Sequence, residues 1–392
     1  MTVQTSSADF RRAIFLAGKV VGRRSAIPIL SMIRCHANGS FEATGTDLDM
    51  TLTAKVAREP GADADFCMQA PQQVIAAIAA AGGKTVSMKT NGGKLRVSSD
   101  ALDVTVDTVP SDDFPMEHLR PIQEQFSATF SAGDIAALAR VAGAMSSEET
   151  RYYLNGVRLK SIGATTIQAQ ATDGHRLYLC DIQLPDAKGK LGDNVIIPRK
   201  AIRLLIELSK SAQNGVSLTI GTPAAANRLE GTAPEQPGAS RLRFSFADRS
   251  AEVCFTSKLI DTSHYPDVER VIPAGGDKQA LFKVADLRRA LAAVSGHSRE
   301  IRATKIAFGA DGVATVSAAY LGIGLAASIK VACDHSARDL TIGFNGGYLS
   351  SILNAARGDE VLFTMTDLAA PVLVRNPADT AWTGVLMPMR VD

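Results

Sequence analysis

Three times along the chain a run of apolar residues at helical spacing gives way to stretches in which apolar and polar residues alternate. DFRRAIFLAGKVV from Asp9, DIAALARVAGAM from Asp134 and DLRRALAAVSGH from Asp286 repeat apolar residues three and four apart, the signature of one face of an amphipathic helix. Each run opens on an aspartate, which suits a helix N-terminus because a carboxylate accepts orphan N–H groups and complements the dipole. Further on, GTDLDMTLTAKV, ATDGHRLYLCDIQL and AAYLGIGLAASIKV read as half-buried strands. Second helices follow at APQQVIAAIAAA, IPRKAIRLLIELSK and FNGGYLSSILNAA, and each copy closes on alternating strands: LRVSSDALDVTVDTV, RLRFSFADRSAEVCFTSKL and VLFTMTDLAAPVLV.

The pattern predicts an α+β chain of three repeated domains, 1–123, 124–273 and 274–392, each with two helices packed on antiparallel sheets. The 392 residues are too many for one ordinary core. FPMEHLRP (114–121) and YPDVERVIP (265–273) mark the linkers, since their prolines fix φ and interrupt pairing. Between Gly221 and Ser240 the stretch TPAAANRLEGTAPEQPGA, about 222–240, reads as an inserted mobile loop in the second copy.

Composition adds that the chain is globular, with 46% hydrophobic residues. The net charge of +2, from 42 basic and 40 acidic residues, names no partner, but its distribution does more. Arg11, Arg12, Lys19, Arg23 and Arg24 crowd the first helix region, Arg199, Lys200, Arg203 and Lys210 the second helix of the middle copy, and Arg288, Arg289, Arg299 and Arg302 the third copy. Acids such as Asp47, Asp49, Asp63, Asp65, Asp112, Asp113 and Glu117 fall mostly in strands and loops. One basic surface is therefore expected, against the alternative of solvated faces that bind nothing. Only 5% of residues are aromatic, which disfavours single-strand binding by base stacking and favours phosphate contacts. Cys35, Cys67, Cys180, Cys254 and Cys333 stand singly, so neither metal nor disulfide framework is expected and all five read as small buried hydrophobes. With no signal-like apolar segment and VIAAIAAA far short of a membrane span, a cytoplasmic protein is expected.

Several motifs fail on inspection. GGKT (82–85) lacks the first P-loop glycine, whose place holds Ile78, and GIGLAA (322–327) runs on into a strand pattern instead of a helix. Asp173 and His175 in ATDGHRLYLC could be an acid/base pair of a hydrolase, but no nucleophile lies nearby in sequence and the counterparts TDLD and AYLG lack the histidine. A tight turn built by Asp and Gly, or a binding surface, are the other readings. No catalytic residue and no cofactor are expected.

RYYLNGVRLK (151–160), ATDGHRLYLC (171–180), FTSKLIDTSHYPDVERVIP (255–273), TIGFNGGYLSSILNA (341–355) and VLMPMR (385–390) together resemble the bacterial DNA sliding clamps, the beta subunits of DNA polymerase III. The likeness spans essentially the whole chain. It implies clamp-type domains, a head-to-tail homodimer closing a six-domain ring on double-stranded DNA without sequence preference, and a non-enzymatic processivity factor in DNA replication. It also implies a hydrophobic peptide pocket walled by Leu154, Thr172, Gly174, His175, Arg176, Leu177, Pro266, Arg270, Val271, Asn345, Tyr348, Val385, Leu386, Met387, Pro388, Met389 and Arg390. The implied partners are the DNA polymerase III catalytic subunit, the clamp loader, and other polymerases and repair proteins with clamp-binding peptides. The implied DNA contacts are Arg24, Tyr152, Tyr153 and Lys200, and the edge strand at LDVTVD (102–107) is expected to pair with a third domain near Leu291 to Ser295. A diverged clamp paralogue serving repair or a specialised polymerase is the alternative. The chain departs from the family in its slightly basic charge, the 222–240 insertion, and Ala369 and Pro371 at expected pocket positions.

Overall fold

A computed structural model describes residues 2–22, 25–100, 102–116, 120–224, 240–260, 265–295, 303–310, 312–320 and 325–391. The helices are α1 (Ser7–Ala17), α2 (Pro71–Ala81), α3 (Ala132–Val141), α4 (Arg199–Leu208), α5 (Val284–Ser295) and α6 (Gly346–Ala356). The strands of the first third are β1 (Thr2–Ser6), β2 (Ile33–Asn38), β3 (Ser40–Thr46), β4 (Met50–Val56), β5 (Ala64–Met68), β6 (Thr85–Asn91), β7 (Lys94–Ser99) and β8 (Leu102–Val109). Next come β9 (Ile122–Phe130), β10 (Gly156–Ser161), β11 (Thr166–Thr172), β12 (Arg176–Gln183), β13 (Lys188–Gly189), β14 (Val195–Pro198), β15 (Ala212–Pro223), β16 (Arg241–Asp248) and β17 (Ala251–Lys258). The last are β18 (Lys278–Lys283), β19 (Ala303–Phe308), β20 (Val313–Tyr320), β21 (Leu325–His335), β22 (Thr341–Asn345), β23 (Glu360–Met365), β24 (Val372–Asn376) and β25 (Asp379–Leu386).

These elements form two compact units, residues 1–135 with 186–191 and 203–259, and residues 136–185 with 192–202 and 260–392. Each unit is organised on one hydrogen-bonded series of strands. In the first the order is β1-β6-β7-β8-β5-β2-β3-β4-β17-β16-β15-β9-β13, and in the second β14-β10-β11-β12-β25-β24-β23-β18-β21-β20-β19-β22. Both series cross between sequence repeats, at β4 with β17 and at β12 with β25, through antiparallel ladders.

The expected helices are present, and their starts differ in detail. Asp9, Asp134 and Asp286 are each the third residue of their helix, and the cap itself is Ser6 for α1, whose hydroxyl accepts from Asp9 N–H at 3.0 Å. At α3 the exchange is reciprocal: Asp134 N–H donates to Ser131 Oγ at 3.2 Å while its carboxylate accepts from Ser131 N–H at 2.8 Å. Apolar faces pack inward, with Phe10, Ile14, Leu287, Leu349 and Ile352 all inaccessible to solvent. Each such side chain contributes roughly 1.5–3 kcal/mol of burial.

The basic helices are less free than the sequence suggests. Arg12 pairs with the wholly buried Asp248, its Nε donating at 2.9 Å, and Lys19 bridges Glu207 at 2.6 Å. Arg288 donates to Leu353 O at 2.7 Å and Arg289 pairs with Asp286 at 2.8 Å. Lys200 and Arg203 are exposed on α4, whereas Arg23, Arg24, Arg299 and Arg302 lie outside the described residues, as does 225–239 of the insertion. Four of the cysteines are buried, and Cys254 is half-buried. Among the described residues no helix is long and apolar enough to cross a membrane, and no group of side chains is placed to hold a metal.

Candidate functional site

The Thr172–Arg176 turn joins β11 to β12 within the second unit. Asp173 Oδ1 accepts from His175 N–H at 3.0 Å and from Arg176 N–H at 3.1 Å, Oδ2 accepts from Arg176 Nε at 2.9 Å, and Thr172 Oγ1 donates to Arg176 O at 2.7 Å. The aspartate is thus consumed in building the turn. The first repeat has the same device, with Asp47 Oδ1 accepting from Asp49 and Met50 N–H at 3.1 and 2.7 Å and Thr46 Oγ1 donating to Met50 O at 2.9 Å. A scaffold shared by two repeats, with His175 present in only one, argues against the acid/base pair, and the His175 ring is stacked on Tyr348 with centroids 5.6 Å apart. The hydrolase reading ends there.

What distinguishes this turn is its surroundings. Gly174 has φ of +88°, and a Cβ there would lie 2.8 Å from Arg151 Nη1. The Arg176 guanidinium lies 4.7 Å from the Tyr348 ring centre, a cation–π contact that fixes both side chains. Beside the turn opens a cleft of about 270 Å³. Its floor belongs to an apolar cluster of Leu154, Leu177, Leu179, Ile196, Tyr265, Val268, Leu373 and Val385. Burial pushes the Tyr265 phenol well above the ordinary tyrosine range, so that ring remains neutral, and its hydroxyl donates to Gln170 O at 3.4 Å. An apolar floor with a few oriented polar groups suits the capture of apolar side chains.

Ten of the expected wall residues line this cleft: Leu154, Thr172, Gly174, His175, Arg176, Leu177, Pro266, Val271, Val385 and Met387. Seven do not. Asn345 caps α6, accepting from Gly347 and Tyr348 N–H at 3.0 and 3.2 Å, and so acts on the site only by setting Tyr348. Tyr348 backs His175 from outside the cleft lining, and Leu386 follows Val385 in a strand whose side chains alternate between faces. Arg270, with 85% of its side chain exposed, pairs with Asp267 at 3.0 Å without lining the cleft itself. Pro388, Met389 and Arg390 lie past the lining, because Met389 bridges to Gly343 in β22. That docking needs a glycine, since a Cβ on Gly343 would fall 2.4 Å from Val391 Cγ1 and 2.7 Å from Met389 O. The other fastening is Met387 N–H to His175 O at 2.9 Å, which ties the closing segment to the turn.

Arg151, Tyr153, Asp267 and Val268 also line the cleft without having been expected there. Tyr153, expected on DNA, is half-buried and packs against the apolar cluster, while Tyr152 beside it is exposed. Lys200 and Tyr152 are exposed, Arg24 lies outside the described residues, and neither Ala369 nor Pro371 is part of the cleft lining.

Residues 1–119, 135–267 and 269–390 match the N-terminal, central and C-terminal domains of the DNA polymerase III beta subunit family. The chain is 31% identical to a beta sliding clamp of Caulobacter vibrioides over 100% of both chains, and 29% identical to that of Pseudomonas aeruginosa over 96% of each. Among solved structures, a sliding clamp from Bartonella birtlesii bound to griselimycin is similar with a TM-score of 0.86, 29% identity and 100% of both chains covered.

Proposed function

The chain belongs to the family of DNA polymerase III beta subunits, the bacterial sliding clamps, and from that premise we propose that it is a processivity factor: a ring around duplex DNA that tethers replication proteins and performs no chemistry itself. The cleft at Thr172–Arg176 receives short apolar peptides from a replicative polymerase, from other polymerases and repair proteins, and from the clamp loader. Tethering acts by raising the effective concentration of polymerase at the primer end. Such a protein works where the chromosome is, in the cytoplasm. Duplex contacts fall to Arg24, Tyr152, Tyr153 and Lys200, through phosphates and without base reading. The chain divides into clamp-type domains 1–123, 124–273 and 274–392.

One observation carries the ring: the same strand join occurs twice within the chain. The last strand of a three-strand meander, β4 or β12, pairs with the second strand of the next repeat's closing hairpin, β17 or β25. The third meander ends at β21, and the first repeat's hairpin ends at β8. Among the described residues, β21 from Leu325 to Ala332 pairs only with β20, and β8 from Leu102 to Val106 only with β7. A second copy supplies each missing partner, twice, in a head-to-tail closure. Leu291 to Ser295 end α5, which packs on β21, so what they offer the β8 edge is helix contact rather than strand pairing.

Retention on DNA of two topologies tests this. The loaded protein should stay on a closed circle through gel filtration and slide off the same DNA once linearised. A chain that is monomeric at micromolar concentration, or that leaves both DNAs equally fast, overturns the reading.

A further inference from the structure

The first unit holds a second cleft, between α1 and α2 and beside the tip of the β16–β17 hairpin. Its volume is about 520 Å³, which suits a small organic molecule and is about twice that of the cleft at Thr172–Arg176. Part of its lining is apolar: Phe15 of α1, 41% exposed, and Ile75, Ala76 and Ala79 of α2. Helix α2 carries no charge from Pro71 to Ala81, whereas α4, its counterpart in the second repeat, presents Lys200 and Arg203 to solvent. Ala76 and Ala79 are exposed and three residues apart, so they lie side by side on the helix and offer a flat methyl surface. Lys19 Nζ lies 4.4 Å from the centre of the Phe15 ring and helps to fix it at the edge of that surface.

The remaining lining is polar, and its charges are unevenly committed. Arg12 is engaged with the buried Asp248, its Nε donating at 2.9 Å, and Asp9 accepts from Ser250 Oγ. Arg11 and Arg249 also line the cleft, and neither has a hydrogen-bond or ion-pair partner among the described residues. Arg249 stands at φ 52° in the hairpin tip closed by the Asp248–Ala251 pair. A glycine would make that turn with less strain, and side chains kept in such conformations cluster at ligand sites.

We infer that this cleft binds a small amphiphilic organic anion, its flat apolar body lying on Ala76, Ala79 and Phe15 and its carboxylate, sulfonate or phosphate head held by Arg11 and Arg249. Two guanidiniums without partners supply charge-assisted donors at one end, and the uncharged α2 wall supplies area that is worth covering only with an apolar group. A duplex backbone answers half of this: its phosphates meet the arginines, but they leave the apolar wall bare and stand against the Asp9 carboxylate. The site is independent of ring closure and of the peptide cleft.

The probe that tests it is 1-anilinonaphthalene-8-sulfonate, an aromatic body with one anionic head, titrated by fluorescence into the full-length chain. The wild type should bind it saturably, and Arg11→Gln with Arg249→Gly should weaken that binding by about tenfold or more. Arg249→Gly alone should also weaken it while leaving the urea midpoint equal to or above that of the wild type, because the strain at φ 52° is relieved. Ala76→Lys with Ala79→Lys, at exposed positions of a helix that lysine suits, separates a shaped site from simple charge attraction. The shaped site loses affinity as its apolar wall is covered, whereas an adventitious anion site gains affinity with the added charge. Dye bound at the peptide cleft is recognised by its indifference to all of these changes. No saturable binding, binding unmoved by the arginine changes, or tighter binding in the double-lysine variant overturns the assignment. So does a short duplex that displaces the dye and is itself weakened as much by the arginine changes, for the cleft then belongs to DNA.

Discussion

At the scale of single residues, two turns of one design differ in what occupies their left-handed position: Leu48, at φ 75°, and Gly174, at φ 88°. Leucine in that conformation carries strain of roughly 1 kcal/mol or more, whereas glycine carries almost none. Leu48→Gly should therefore be neutral or mildly stabilising. Gly174→Ala should destabilise by about 1–3 kcal/mol, adding the conformational cost to the encounter with Arg151 Nη1, and should also weaken peptide binding. Urea denaturation of both variants checks the pair, and equal behaviour would contradict it. The sequence made the turn chemistry readable, because Thr and Asp recur at TD in both repeats. It could not separate residues on the cleft wall from residues that hold the wall: Asn345 looks like a polar lining group until its carbonyl is seen capping α6. Gly343 was equally silent, since its reason is a close approach by Met389 and Val391, far along the chain.

At the scale of elements, helix and strand periods were legible because nearly every element has one buried face, and SIKVACD, which follows the rejected GIGLAA, lies in strand β21 as its alternation required. Helix starts were displaced because a third-position aspartate and a cap favour the same composition, and only the bond from Asp9 N–H to Ser6 Oγ tells them apart. Charge on helices was the weakest guide. Arg12 looks solvated among its basic neighbours in the sequence, yet it answers a buried carboxylate on a strand more than 200 residues away, which no local pattern announces. The closing segment 385–391 makes its own case. Deleting Met387 to Asp392 removes the Met387 side chain from the cleft lining and both fastenings, to His175 O and to Gly343, while leaving α1–α6 and the β8 and β21 edges intact. One Leu-sized anchor is worth roughly 1.5–3 kcal/mol, so affinity for a polymerase peptide should fall at least about tenfold with dimerisation unchanged. Fluorescence anisotropy with a labelled peptide measures the first and sedimentation the second; normal peptide affinity would remove the segment from the site.

At the scale of the whole molecule, a ring that slides must hold DNA without recognising it. Arg24→Glu with Lys200→Glu should weaken association on every sequence alike and reduce the dependence of log affinity on log salt by about one unit for each phosphate no longer neutralised. A change confined to some sequences, seen by titration on several duplexes, would count against phosphate-directed binding. The join of β4 to β17 has a consequence of another kind, for the order in which the protein comes into being. Val56 finds Ala251 opposite it, so a ribosome adding roughly 5–20 residues per second must make about 195 more residues, for about 10–40 s, before that partner exists. Throughout that interval the emerging first repeat carries a bare edge at Met50–Val56, a template for any other nascent chain on the same message. Lys55 on that strand, later the mate of Glu252, is during synthesis a charge that discourages premature pairing between neighbouring ribosomes.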